Sequence, residues 1–135
     1  MTNNTTAPAV LWQTLRYDDC PAAIEFLMKA FGFEERARYA GENDGSIAHA
    51  ELRWPGGGGV MLGSGDGGEL RLPVGVGSTY IVVNSAEEVD ELFQRAVAAG
   101  ATVVREPTDE DYGGRDFVVR DPQGVFWSFG TYAGE

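Results

Sequence analysis

The sequence predicts an α+β protein built from two β-α-β-β-β modules, their strands forming a curved mixed sheet around a cavity. Three observations carry this. Two amphipathic helical stretches are each preceded by one alternating strand-like run and followed by three more. Gly32 and Gly100 close the two helices at equivalent places, as an internal structural duplication would place them. A Gly-rich polar stretch, Gly63 to Gly77, separates the two sets as a linker.

The elements follow in order. Val10 to Tyr17 alternates as a strand, and Asp19 before Cys20-Pro21 supplies an N-cap with Pro in the first turn. Ile24, Leu27, Met28 and Phe31 then recur at helical spacing. Phe33 to Tyr39, Ser46 to Trp54 and Val60 to Gly63 read as strands, the last two joined by Pro55 and Gly56 to Gly59. In the second half Ser78 to Asn84 is a strand and Ser85 with Glu88 forms a capping box. Val89, Leu92, Phe93 and Ala96 make one apolar helical face. Ala101 to Arg105, Arg115 to Arg120 and Val125 to Thr131 complete the set, with Asp121-Pro-Gln-Gly124 as the last turn. The expected organisation is a loose tail at 1–9 and one domain at 10–135, made of modules at about 10–63 and 78–132.

Composition bounds the function. The chain has 135 residues, 43% of them hydrophobic, enough for one domain with a real core. Ten Lys plus Arg stand against 21 Asp plus Glu, a net charge of −11. Nucleic acid is therefore an unsuitable partner, because phosphate binding needs a basic face, whereas a cationic small molecule would be attracted. The lone Cys20 allows no disulfide within the chain. The polar N-terminus lacks the pattern of a signal peptide, and no apolar run reaches membrane-spanning length. No membrane partner and a cytoplasmic location are expected.

Phe26-Leu-Met-Lys-Ala-Phe-Gly-Phe33, the helix from Glu88 to Ala101 and the ending Asp121-Pro-Gln-Gly-Val-Phe-Trp-Ser128, set in the paired module order, resemble the vicinal oxygen chelate superfamily. This is the glyoxalase, bleomycin-resistance protein and extradiol dioxygenase group, and the resemblance runs from about Val10 to Tyr132. It implies His or Glu metal ligands on the first and last strand of each module. The corresponding positions here are Trp12 (or Gln13, one register away), Met61, Ser78 and Ser128, none of which supplies an imidazole or carboxylate. The expectation is therefore no metal and no other cofactor. The resemblance also implies a homodimer with ligand sites at or near the interface.

Strand parity nominates the other candidates. Phe126 and Ser128 share a pocket face, with Trp127 and Phe129 turned to the helix. In Ile47-Ala-His-Ala-Glu-Leu-Arg-Trp54 the residues Ala48, Ala50, Leu52 and Trp54 form one apolar face, so His49 and Glu51 project together from the other. That pair is either an acid–base couple or a structural hydrogen bond. Trp12, Tyr80 and Phe126 offer flat surfaces for stacking or cation–π contact, and Tyr112 rims the cavity. Gly56 to Gly59 lacks the Lys and following helix of a phosphate loop. Three functions remain open. One is a metal-free small-molecule-binding protein that sequesters a cationic or planar aromatic compound such as an antibiotic, conferring resistance, with ligand contacts among Trp12, His49, Glu51, Met61, Ser78, Tyr80, Tyr112, Phe126 and Ser128. Another is a lyase, isomerase or dioxygenase-like enzyme using His49 and Glu51 or an unrecognised metal site. An accessory protein with a vestigial pocket is a third.

Overall fold

The computed structural model describes residues 11–65, 73 and 77–134; the expected tail at 1–9, Val10 and most of the 63–77 linker lie outside these. Each helix forms where the sequence places an N-cap ahead of an apolar stripe. In α1 (Cys20–Phe31) the Asp19 side chain accepts from the Ala22 N–H, Pro21 occupies the first turn, and Gly32 ends the helix at φ 86°. In α2 (Ala86–Ala98) the Ser85 hydroxyl accepts from the Glu88 N–H. The Glu88 carboxylate reaches back to the Asn84 N–H, one residue beyond a standard capping box.

The strands are β1 (Gln13–Tyr17), β2 (Glu34–Ala40), β3 (Ile47–Arg53), β4 (Gly59–Ser64), β5 (Ser78–Val82), β6 (Thr102–Asp109), β7 (Arg115–Arg120) and β8 (Phe126–Gly130). They form two four-stranded mixed sheets, ordered β1-β4-β3-β2 and β5-β8-β7-β6. The helix after the first strand of each module carries the chain across the sheet, so β1 pairs parallel with β4 and β5 with β8, while hairpins make the other pairs antiparallel. The two expected β-α-β-β-β modules thus contribute one mixed sheet each, neither closed into a barrel.

Both outer strands are bulged. Register shifts lie at Glu35/Ala37 and Tyr39/Ala40 in β2, and at Val103/Arg105 and Arg105/Thr108 in β6. The shift at Tyr39/Ala40 corrects one expectation: Tyr39 pairs with His49 and Ala40 with Ile47, so Ala48 is the extra residue of a bulge in β3, exposed while Ile47 is buried. β6 also runs to Asp109, four residues past the expected Arg105, through Pro107.

One face of each sheet packs on the helices in a shared core. Leu15 and Tyr17 of β1, Ala50 and Leu52 of β3, and Val60 and Leu62 of β4 meet α1; Phe117, Val119, Trp127 and Phe129 form the equivalent layer in the second module. Phe31 at the end of α1 bridges the two, its ring 5.6 Å from Trp127 and 4.6 Å from Phe129. A buried polar link reinforces the junction. Asp121, 3% exposed, accepts from the Tyr17 hydroxyl at 2.6 Å and the Trp127 Nε1–H at 3.0 Å through one oxygen. The other accepts from the backbone N–H groups of Gln123 and Val125, each at 3.0 Å. Four donors satisfy a carboxylate that burial alone would penalise heavily. Burial, and then the Asp121 charge, hold the Tyr17 hydroxyl well above the ordinary tyrosine range. Among the described residues no helix is long and apolar enough to cross a membrane.

Candidate functional site

With one face of each sheet committed to the core, ligand contacts must come from the other face or from the junction. The junction holds a cleft of about 570 Å³, within the range of small-molecule sites. The start of β1 lines one side and Thr79 to Val82 of β5 the other, with Phe33, Trp54 and the glycine turn after Trp54 between them. β1 and β5 are edge strands of separate sheets, so no ladder fills the gap. Aromatic rings do much of the walling. Phe33 and Trp54 stand 5.4 Å apart, and Trp12 lies under the Arg53 guanidinium, 5.7 Å from ring centre to Cζ. Gly59 makes room for Trp12, since a Cβ there would come within 2.7 Å of its Cζ3. Thr79, one of the lining residues, has a buried hydroxyl without a hydrogen-bond partner.

Of the nine residues nominated from sequence, the cleft gathers Trp12 and Tyr80. Trp12 stands just ahead of β1, which begins at Gln13. His49, Glu51 and Met61 sit together on the outer face of the first sheet, with Met61 paired across from both Thr14 and Glu51. The His49 Nε2 lies 2.9 Å from a Glu51 carboxylate oxygen, and the Tyr39 ring stacks 6.1 Å from the imidazole. The couple is therefore formed, on an open face rather than inside the cleft. Ser78, Phe126 and Ser128 lie on the outer face of the second sheet, Ser78 opposite Phe126 and Ser128 opposite Tyr80. Phe126 is covered by the Arg120 guanidinium, 4.7 Å above its ring. Tyr112 is exposed and does not line the cleft, its ring 5.1 Å from that of Tyr132.

The four positions that correspond to metal ligands are offset along their strands. Met61 is aligned with Thr14 rather than Trp12, and Ser128 with Tyr80 rather than Ser78. Among the described residues no three His, Cys, Asp or Glu side chains come together in a way that would hold an ion. Hydroxyl, thioether and indole groups are poor partners for a divalent transition metal, so the donor set does not fit one.

Sequence reasoning missed Phe33, Trp54 and Thr79 as cleft residues. Trp54 carried a signal, because a large aromatic just before Pro55 and four glycines stands at a strand end, beyond the regular alternation. It also missed a polar cluster on the outer face of the second sheet. Asp116, 4% exposed, accepts from the Arg105 Nη2 at 2.6 Å and from the Tyr112 hydroxyl at 3.3 Å. Glu110 approaches the same guanidinium nitrogen at 2.9 Å.

Comparison with known proteins places this geometry in context. The family model described as Glyoxalase/Bleomycin resistance protein/Dioxygenase superfamily matches residues 9–129. An uncharacterized protein of Mycobacterium bovis is 42% identical over 118 residues, spanning 84% of this chain and 76% of its own length. Among solved structures, TioX from Micromonospora sp. ML1 is 32% identical with a TM-score of 0.69, over 91% of this chain and 98% of that one. A glyoxalase/bleomycin resistance protein/dioxygenase family enzyme from Burkholderia phytofirmans shares the fold at 22% identity and a TM-score of 0.71, covering 91% of this chain and 98% of its own.

Proposed function

The chain belongs to the glyoxalase/bleomycin resistance protein/dioxygenase superfamily, and from that premise we propose that it is a small-molecule-binding protein that works without a metal. Its ligand is a planar aromatic compound, cationic in part, of the kind that includes antibiotics, and binding sequesters it. The observation that carries this reading is the junction cleft, about 570 Å³ and walled by Trp12, Phe33, Trp54 and Tyr80. Such rings cover a flat ligand at low entropic cost and leave few polar demands to satisfy. The −11 charge raises the local concentration of cations around it. In this reading the protein is a cytoplasmic homodimer with its ligand sites at or near the interface, and light scattering should give about twice the 14.5 kDa chain mass.

The test is a calorimetric screen of cationic glycopeptide and planar aromatic antibiotics against wild type and Trp12→Ala. We expect at least one micromolar ligand whose affinity drops about five- to tenfold in the variant, the value of one stacked ring. If nothing in the screen binds more tightly than about millimolar, the reading is wrong.

The His49–Glu51 contact at 2.9 Å favours a second reading, an acid–base lyase or isomerase acting on the outer face of the first sheet. It requires a turnover that His49→Gln abolishes while ligand affinity at the cleft is unchanged.

A further inference from the structure

This inference rests on the ligand-binding reading and names the chemistry that the cleft recognises. We propose that the ligand bears amides, as a short peptide-like compound with a flat aromatic group does, and that these amides pair with the free edge of β5 at Tyr80 and Val82.

The ladder fixes which way the backbone of β5 points. A strand residue sends its N–H and C=O to one side, and the next residue sends both to the other. Just past β5 the Val83 N–H donates to the Gly130 carbonyl of β8 at 2.9 Å, and β5 pairs with β8 in unbroken register from Ser78 to Val82. Thr79, Ile81 and Val83 therefore serve the ladder, while the N–H and C=O of Tyr80 and Val82 point to the open side. Among the described residues β8 is the only strand bonded to β5. The same two residues line the cleft and are 44% and 45% exposed. They stand two residues apart, about 6.7 Å, which is the repeat of an extended peptide.

The side chains leave polar recognition largely to this backbone. None of the described residues lining the cleft is an Asp, Glu, Lys, Arg or His. The Thr79 hydroxyl is closed to solvent, and the Tyr80 hydroxyl already donates to the Tyr132 carbonyl at 2.7 Å. Gln13 adds one side-chain amide at the far wall. A polar group that a ligand buries here must find a partner, and the alternating donors and acceptors of an extended amide chain match a strand edge. Size keeps the occupant short. Two outward residues in a cleft of about 570 Å³ serve one or two amide units, leaving the rings of Trp12, Phe33 and Trp54 for the flat group. So short an edge is a poor template for a strand of a second copy.

The experiment is fluorescence titration with 2-naphthoyl-alanyl-alanine amide and with its analogue methylated at the backbone amide nitrogens, which keeps the ring and loses the donors. Wild type should bind the first about tenfold more tightly, the value of one or two hydrogen bonds. Val82→Pro deletes an outward N–H and spares the β8 ladder, whereas Val82→Ala removes only the side chain. The proline variant, with its thermal midpoint checked, should bind the unmethylated probe about fivefold more weakly than the alanine variant. Amide hydrogen exchange of wild type gives a readout that needs no variant. Saturating unmethylated probe should slow the Tyr80 and Val82 amides at least about tenfold and change those of Thr79 and Ile81 less than about twofold. Unchanged exchange at Tyr80 and Val82, or a folded Val82→Pro that binds as Val82→Ala does, overturns the proposal. So does slowing of those two amides by raised protein concentration without probe, which would assign the edge to a second copy. If both probes bind wild type equally and depend on Trp12, the ligand-binding reading stands and this inference fails. If neither binds more tightly than about millimolar while an amide-free planar compound does, this inference alone fails; if no planar compound binds, both fail.

Discussion

Replacing Tyr17 by Phe removes one oxygen and keeps the ring, which isolates the link between the modules. The hydroxyl donates to Asp121 at 2.6 Å, between residues 104 apart in sequence. Asp121 would keep its other three donors. A buried hydrogen bond to an ionised acceptor is worth about 1.5–3 kcal/mol, and here the loss also strands part of a desolvated carboxylate. At roughly 4 °C per kcal/mol for a chain of this length, the melting temperature should fall by about 6–12 °C. Urea unfolding followed by tryptophan fluorescence checks this: the midpoint should drop by about 1 M with the slope unchanged. The same side chain sets a pH dependence. Its folded-state pKa lies above the unfolded value, so its contribution is complete below about pH 10 and is lost as pH rises beyond it, when the unfolded chain ionises first. Tyr17→Phe should therefore lose stability less steeply than wild type above about pH 10. A loss below about 0.5 kcal/mol at neutral pH, or identical alkaline slopes, would refute the account of Asp121 as a tie between the modules.

Cys20 gives a second alkaline effect. Burial pushes its thiol up to about 11, so its contribution is lost as pH climbs from the ordinary thiol range toward that value. At pH 8 a disulfide reagent should label it about 10²-fold more slowly in the native protein than in urea, and prompt native labelling would contradict its 0% exposure. Gly59→Ala should cost about 1–3 kcal/mol and shift tryptophan emission, because the new Cβ would clash with both Trp12 and the Leu52 carbonyl. An unchanged emission spectrum would show that Trp12 does not rest where the cleft requires it.

The fold was legible because its signals are local. Asp19 with Pro21, Ser85 with Glu88, and Gly32 and Gly100 mark helix ends by backbone chemistry that acts within a few residues. The parity of β8 was equally readable, with Trp127 and Phe129 buried and Phe126 and Ser128 half-buried. Parity failed at Ala48, which is the extra residue of a bulge that appears only when β3 pairs with β2. The site was harder to read because it depends on which strands become sheet edges. No pattern within β1 or β5 says that their unpaired sides will enclose a cleft. Glu110, Arg105 and Asp116 meet only after β6 folds back on β7, and Asp121 reads as an ordinary turn acid until Tyr17 arrives from the other module.

The bulges in β2 and β6 bear on how copies of this chain can meet. An outer strand with a regular row of N–H and C=O groups is a template on which another strand can grow, the first step toward fibres. Here β2 carries one extra residue and β6 two, and Pro107 removes one donor from β6. Val103 and Val104 are exposed on that strand, at 40% and 50%, so its composition alone would invite such growth. The interrupted ladders block it, and concentrated solutions should remain free of amyloid-type dye binding even though the protein carries sticky residues along an open rim.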